Sequence, residues 1–81
     1  MRSFSHWVGV DKDTGTIFAE GSELPTEGLR RWSVADERQY PHAKRGLPPK
    51  TVLVASADPK ASYCYGVDVK EAEKAKLLPE Q

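Results

Sequence analysis

The sequence predicts a small α+β domain in which two antiparallel β-hairpins form a sheet of about four strands. Two segments with alternating side chains predict the hairpins, and a stretch rich in proline and glycine predicts a short helical or irregular segment between them. A last segment rich in alanine and lysine predicts a short C-terminal helix. With 81 residues the chain has room for one domain, residues 1–81, which buries about 60% of the surface of its unfolded form.

The first hairpin is predicted from the alternation of residues 4–10, which is typical of a β-strand. Residues 11–15 are turn formers that end in Gly15, a residue able to adopt a positive φ. Residues 16–20 then supply the second strand. A type I turn with Gly15 in the left-handed position would join the two strands with a compatible twist.

The register of this hairpin decides which side chains share a face. If Val10 lies opposite Ile17, then Trp7 and Phe18 fall on one face, diagonal to each other. The residues expected on the opposite face are Phe4, Val8, Val10 and Ala19. Because one sheet cannot bury both faces without a cover, we expect the middle of the chain to fold over Trp7 and Phe18. The alternative is that part of this aromatic surface stays open as a binding patch.

The middle of the chain is expected to begin with a short helix. Thr26 is a candidate cap, and Leu29 and Trp32 are the apolar side chains that would cover the aromatic face. Gly28 weakens this helix, because glycine is a poor helix former. The alternative is a further strand at residues 30–34, which would favour a compact five-stranded β-barrel.

A second helix start is predicted a few residues later. Ser33 stands three residues before Asp36, which is the spacing of a capping box. Pro41 ends any helix in this region by Tyr40. Residues 41–50 contain three prolines and a glycine, so we expect them to form a loop.

The second hairpin is predicted from residues 51–56, which are apolar and β-branched, and from the alternation of residues 62–69. A turn at Asp58 and the proline after it joins the two strands. One face of the second strand is expected to carry Tyr63, Tyr65, Val67 and Val69. Asp68, with Glu71 three residues later, predicts the start of a short helix that runs through residue 77.

The chain lacks the sequence patterns of catalytic and metal sites. One cysteine, Cys64, and two histidines, His6 and His42, are too few for a zinc site. Residues 11–15 share two aspartates with the opening of a calcium loop but lack its later ligands. No nucleophile elbow or glycine-rich phosphate loop occurs. We therefore expect a protein without enzymatic activity, cofactor or metal; an enzyme would have to depend on one of these three side chains.

The sequence also favours a cytoplasmic location. No segment approaches the roughly 18 consecutive apolar residues that a membrane span needs, and the first residues do not form a secretion signal. A single cysteine excludes a disulfide within the chain and suits a reducing compartment.

The charges are sorted along the chain although the formal net charge is zero. Residues 29–50 carry six basic and two acidic side chains, a net charge of +4. Residues 1–28 carry two basic and five acidic side chains, and residues 51–81 carry four and five. Such sorting indicates that the basic segment faces a partner. The alternative is that the basic segment pairs with the acidic first hairpin within the fold.

The basic segment interleaves cations with aromatic rings, a composition that is typical of interfaces. The neutral chain disfavours a dedicated nucleic-acid binder and favours an electrostatically steered protein partner. We therefore predict a protein-binding module, such as a small bacterial or phage-type regulator or inhibitor that blocks a surface of a larger protein. The predicted partner-binding residues are Arg30, Arg31, Trp32, Arg38, Tyr40, Lys44, Arg45, Trp7, Tyr63 and Tyr65. The alternatives are nucleic-acid binding through residues 30–45 and a homodimer paired through an edge strand.

Overall fold

The computed structural model describes residues 3–79, and these residues form seven β-strands and two short α-helices. The strands are Ser3–Phe4 (β1), Trp7–Asp11 (β2), Ile17–Gly21 (β3), Leu24–Pro25 (β4), Leu29–Arg31 (β5), Thr51–Ser56 (β6) and Tyr63–Asp68 (β7). The helices are Val34–Gln39 (α1) and Val69–Lys74 (α2). The predicted α+β class is confirmed.

Five of the strands form one open antiparallel sheet in the order β3-β2-β7-β6-β5. β1 and β4 form a separate two-stranded sheet. The predicted number of about four strands is thus one too low for the main sheet, and the alternative of a closed barrel is wrong, because β3 and β5 remain as free ends of the strand order.

The segment that contains Leu29 is a strand and not the expected Thr26-capped helix. Leu29 lies opposite Ser56 and Arg31 lies opposite Val54, so this segment completes the sheet beside β6. Gly28 adopts a φ of +78°, which is incompatible with a helix at that point. The alternative of a further strand at residues 30–34 is therefore correct for residues 30 and 31 only, because α1 begins at Val34, and the strand does not close a barrel.

The first hairpin has the predicted register at its turn, with Val10 opposite Ile17. Gly15 has the predicted positive φ, +79°, and its N–H donates to the carbonyl oxygen of Asp11 at 2.8 Å. A Cβ atom at this position would overlap the carbonyl oxygen of His42. Glycine is thus required here both by the backbone conformation and by the loop that packs against the turn.

A β-bulge changes the faces further along this hairpin. The register shifts between Gly9 and Val10, so that Ala19 lies opposite Gly9. Ala19 therefore shares the face of Trp7, and its predicted place beside Val10 is wrong. The predicted common face of Trp7 and Phe18 is confirmed, because the Phe18 ring packs over Gly9.

Phe4 also lies on the other side of the sheet from its predicted place. It belongs to β1, which pairs with β4 and packs on Val54 and Val67. The chain leaves the strand pattern at Ser5, whose N–H and Oγ both donate to Glu71 Oε1, at 3.0 and 2.8 Å. These bonds join the start of the chain to α2, which packs in the same core as Phe4.

The main sheet has a cover on each face. One face packs under the segment that follows β5, in a core of Val8, Val10, Trp32, Ala43, Leu53, Ala55 and Cys64. The other face packs under β1, β4 and α2, in a core of Phe4, Val54, Val67 and Ala72. The expectation that Trp32 covers Trp7 and Phe18 is wrong, because Trp32 lies on the opposite face.

Both helices begin where the sequence predicts. Ser33 and Asp36 form a reciprocal capping box at the start of α1, and Tyr40 is its C-cap. Asp68 caps α2 by accepting a bond from the Lys70 N–H, but Glu71 accepts bonds from Ser5, just after β1, instead of completing a box. α2 ends at Lys74, three residues before the predicted end.

Within residues 3–79, neither helix has the length and apolar character needed to cross a membrane.

Candidate protein-interaction surface

Trp32, one of the predicted partner-binding residues, lies in the core. Only 2% of its surface is exposed, and its indole Nε1 donates to Glu37 Oε2 at 3.0 Å. Its ring packs against Tyr40, with centroids 6.2 Å apart. The expectation that this indole is an open anchor is therefore wrong, because the ring is needed to cover one face of the sheet.

The charge of Arg30 is paired within the fold. Its guanidinium donates to both carboxylate oxygens of Asp36, at 2.6 and 3.1 Å, and Asp36 is buried. The same carboxylate accepts bonds from the N–H and Oγ of Ser33. The Arg30 guanidinium, followed by the bonds from Ser33, holds the pKa of Asp36 well below its usual range against the effect of burial.

Lys44 is neutralised in the same way by the second acid of the basic segment. Its Nζ lies 2.9 Å from Glu37 Oε1. This contact, and then the indole bond from Trp32, lower the pKa of Glu37. The basic segment thus pairs with its own two acids, and residues 3–79 show no salt bridge between it and the first hairpin.

The remaining predicted residues of the segment differ in exposure. Arg31, Arg38 and Arg45 are exposed and form no salt bridge with another residue in the described part of the chain. Tyr40 is half-buried, and the Nζ atom of Lys12 lies 4.5 Å from its ring centroid. The Tyr40 ring, which the sequence predicts to bind a partner, thus forms a cation–π contact within the fold.

A different surface brings aromatic rings together. Trp7, Tyr65, Tyr63 and Phe18 form a continuous row across β2, β7 and β3, which we call the aromatic ladder. The centroids of Trp7 and Tyr65 lie 5.5 Å apart, as do those of Tyr65 and Tyr63. Phe18 follows at 6.3 Å from Tyr63. All three contacts are edge-to-face, the geometry that aromatic quadrupoles favour.

Two glycines make the aromatic ladder possible. A Cβ atom on Gly9 would lie 2.9 Å from the Phe18 ring, and one on Gly21 would lie 2.9 Å from the Trp7 ring. Because Gly9 has no side chain, the Phe18 ring reaches from β3 across β2 to Tyr63 on β7. Both rings therefore lie directly on backbone.

The ladder becomes more exposed towards the sheet edge. Trp7 and Tyr65 are half-buried and belong to the core beneath β1 and α2. Tyr63 is 37% exposed, and Phe18 is 59% exposed. Burial of the hydroxyl group, and then the neighbouring Tyr63, raise the pKa of Tyr65 to about 12, so this phenol remains uncharged at neutral pH.

Acidic side chains lie in the hairpin that carries the exposed end of the ladder. Asp11 lies directly opposite Tyr63, Asp13 follows in the turn, and Glu20 lies on β3, opposite Val8 on the other face of the sheet. None of these carboxylates forms a salt bridge with a described residue. Lys12, the one cation in the turn, is directed onto Tyr40. The exposed end of the ladder is thus an apolar surface in an acidic hairpin, and we call Asp11, Asp13 and Glu20 the acidic rim.

Sequence reasoning placed Trp7, Tyr63 and Tyr65 among the site residues but omitted Phe18, which is the most exposed member of the ladder. The sequence signal was present, because the hairpin register puts Phe18 on the face of Trp7. Phe18 was assigned to the core because large aromatic side chains usually form the core of small domains.

Among residues 3–79, no group of three histidine, cysteine or acidic side chains could hold a metal ion. The Cys64 thiol is fully buried, and burial raises its pKa to about 12, so it is not an activated nucleophile. A cavity of about 380 Å³ beside Trp32 has Glu37 and Lys44 in its wall, but these two charges bind each other.

Comparison with protein-family models, with curated proteins and with solved structures gives no match for this chain.

Proposed function

We propose that this protein is a non-enzymatic protein-binding module that engages its partner through the aromatic ladder. It would act as a small regulator or inhibitor by occupying a surface of a larger protein. The observation that carries the proposal is Phe18, a large apolar side chain that is 59% exposed at the end of a row of packed rings.

Burial of the exposed Phe18 ring against a partner would contribute free energy that the ring does not obtain within the fold. Full burial of a phenylalanine side chain contributes about 1.5–3 kcal/mol relative to leaving it in water. Phe18 obtains only part of this within the fold, and Tyr63 beside it is also partly open. Aromatic side chains that are rigid before binding lose little conformational entropy on association, which is why they dominate protein interfaces.

The acidic rim supports a protein partner over a nucleic acid. Asp11, Asp13 and Glu20 would repel phosphates from the exposed end of the ladder. The alternative nucleic-acid surface at residues 30–45 lacks its stacking ring, because Trp32 is buried, and two of its cations are paired. Rim carboxylates instead favour a partner surface that carries basic side chains.

A cytoplasmic location is part of the same proposal. The chain has one cysteine, and its thiol lies in the core between β2 and β6. A domain that is held together by packing alone suits a reducing compartment.

The test is affinity capture from a native lysate with the wild-type protein and with Phe18→Ser as baits, in the presence of nuclease. The matched control is Val34→Ser, which also removes an exposed apolar side chain, but on α1 over the other face. We expect wild type and Val34→Ser to retain the same dominant protein and Phe18→Ser to lose it.

Folding of all three baits is checked by circular dichroism before capture. Equal retention of the protein by Phe18→Ser would remove the aromatic ladder from the interface. Loss of everything on nuclease treatment would replace the protein partner by a nucleic acid.

A further inference from the structure

We propose that the partner is bound as an extended basic segment that pairs with the outer edge of β3 and adds a sixth strand to the main sheet. This inference rests on the proposed function, because the added strand would lie beside Phe18 and extend the aromatic ladder. The proposal specifies that the bound segment of the partner is extended and basic, which the proposed function does not specify.

The two edges of the sheet differ in how they are protected. β5 has three residues, two of them arginines, and charge and short length are the usual protection of an edge strand. β3 has five residues and one charged side chain, Glu20. Its Ile17 is 38% exposed and its Phe18 is 59% exposed, on opposite faces of the sheet.

The backbone of β3 is the second observation. β3 pairs with β2, and among residues 3–79 no strand lies on its other side. Alternate N–H and C=O groups of such an edge face outward and are available to an added strand. The β-bulge lies between the Val10–Ile17 and Gly9–Ala19 pairs, and the pairs from Ala19 to Gly21 are regular.

Each face of β3 would recognise a different kind of side chain. On the ladder face, the neighbour of Phe18 in an added strand would be apolar, because the ring already packs against Tyr63. On the other face, Glu20 lies opposite Val8 and Ile17 lies opposite Val10. A lysine on this face could pair with Glu20 while its aliphatic stem covers Ile17.

Charge selects a basic segment over a second copy of this chain. Antiparallel pairing of β3 with a second copy would bring together two hairpins that each carry Asp11, Asp13 and Glu20. Like charges across a strand pair are destabilising. A segment that alternates lysine with apolar residues would instead neutralise the rim.

The experiment uses the 15N-labelled full chain and two capped synthetic hexapeptides, one alternating lysine and valine and one alternating glutamate and valine. Amide hydrogen exchange and chemical shifts are followed by NMR. We expect the lysine–valine peptide to slow exchange of alternate β3 amides, by about tenfold at a concentration of about ten times its Kd. We expect the glutamate–valine peptide to leave them unchanged.

The variant that tests the charge argument is Glu20→Lys, and its matched control is Glu27→Lys, an equal charge change on an exposed acid between β4 and β5. Glu20→Lys should weaken binding of the lysine–valine peptide by about twofold to fivefold. Glu27→Lys should bind as wild type does.

Unchanged exchange in β3, or chemical-shift changes confined to another region, would overturn the strand addition. If Phe18→Ser still abolishes capture in that case, the proposed function stands and only the added strand is wrong. Protection of β3 that rises with protein concentration without peptide would identify a second copy as the occupant, and would also overturn the proposal.

Discussion

Trp32 and Phe18 exchange the roles that their surroundings in the sequence indicate. Trp32 stands in the most basic segment of the chain, yet it is sealed in the core with its indole N–H bonded to Glu37. Phe18 stands in an ordinary strand pattern, yet it is the most exposed large apolar residue in the described part of the chain. An excess of basic residues in one segment of the sequence therefore does not predict where the exposed apolar surface of the protein lies.

The basic segment pairs two of its six cations with its own two acids. The capping box at Ser33 fixes Asp36 where it meets Arg30, and the first turn of α1 then directs Glu37 towards Trp32 and Lys44. Two acids among six bases are few in number, but the fold places both of them on the side chains that would otherwise form the interface.

The open end of the ladder has a different cause. β1, β4 and α2 cover the part of the sheet near Val54 and Val67, and Phe18 lies outside the core that they form. The register at the turn puts Phe18 on this face, and its ring lies over Gly9. Phe18 is thus exposed because β1, β4 and α2 do not cover it, and not because of the composition of the hairpin.

The largest expected effect separates the two aromatic side chains directly. Trp32→Ala should lower the free energy of unfolding by about 3–5 kcal/mol, because it removes a buried ring from the core. Phe18→Ala should lower it by about 1 kcal/mol or less, because most of that ring is already in water. Urea denaturation followed by circular dichroism measures both; equal losses would contradict the assignment of the two sites.

A smaller effect is expected from the charge pair that closes the basic segment. Asp36→Ala should cost about 2–4 kcal/mol at neutral pH, because it leaves Arg30 and Ser33 without their acceptor. Arg38→Ala removes an exposed charge from the same helix and should change stability by about 0.5 kcal/mol or less. Thermal unfolding of the two variants in parallel provides the comparison.

The same pair predicts how stability depends on pH. The pKa of Asp36 is lower in the folded protein, so the unfolded chain binds the proton more tightly. The contribution of Asp36 is complete above its ordinary pKa of about 4 and is lost as the pH falls towards the folded-state value. The difference in unfolding free energy between wild type and Asp36→Ala should therefore be smaller at pH 3 than at pH 7. A difference that grows on acidification would contradict the pairing.

The smallest effect is expected at Gly9, against whose backbone the exposed Phe18 ring packs. Gly9→Ala places a Cβ atom against the Phe18 ring, which lies at the surface and can turn away. We expect a loss of about 1 kcal/mol, together with loss of the NMR cross-peaks between Phe18 and Tyr63. Cross-peaks that survive unchanged would show that the ring does not rest on Gly9.

Local signals in the sequence were sufficient for several elements. The capping box at Ser33, the cap at Asp68 and the positive φ of Gly15 each depend on residues within a few positions, and the sequence predicts all three. The strands of the second hairpin are also predicted, because alternation and the turn at Asp58 lie in one continuous stretch.

Features that depend on distant contacts could not be predicted. Phe4 changes sides because Ser5 bonds to Glu71, 66 residues away in sequence. β5 pairs with β6, more than twenty positions later, whereas the local sequence favours a helix there and offers a strand only as the alternative. At the candidate site, Trp7, Tyr63 and Tyr65 could be found from strand periodicity, but the exposure of Phe18 depends on where the cover of the sheet ends.

The central claim is that a partner binds the aromatic ladder and not the basic segment. The most direct measurement is the amount of the same partner captured by Phe18→Ser and by the double variant Arg38→Glu, Arg45→Glu, which reverses two exposed arginines of that segment. We predict loss with Phe18→Ser and retention with the double variant. Retention with Phe18→Ser together with loss in the double variant would contradict the account and return the interface to the basic segment.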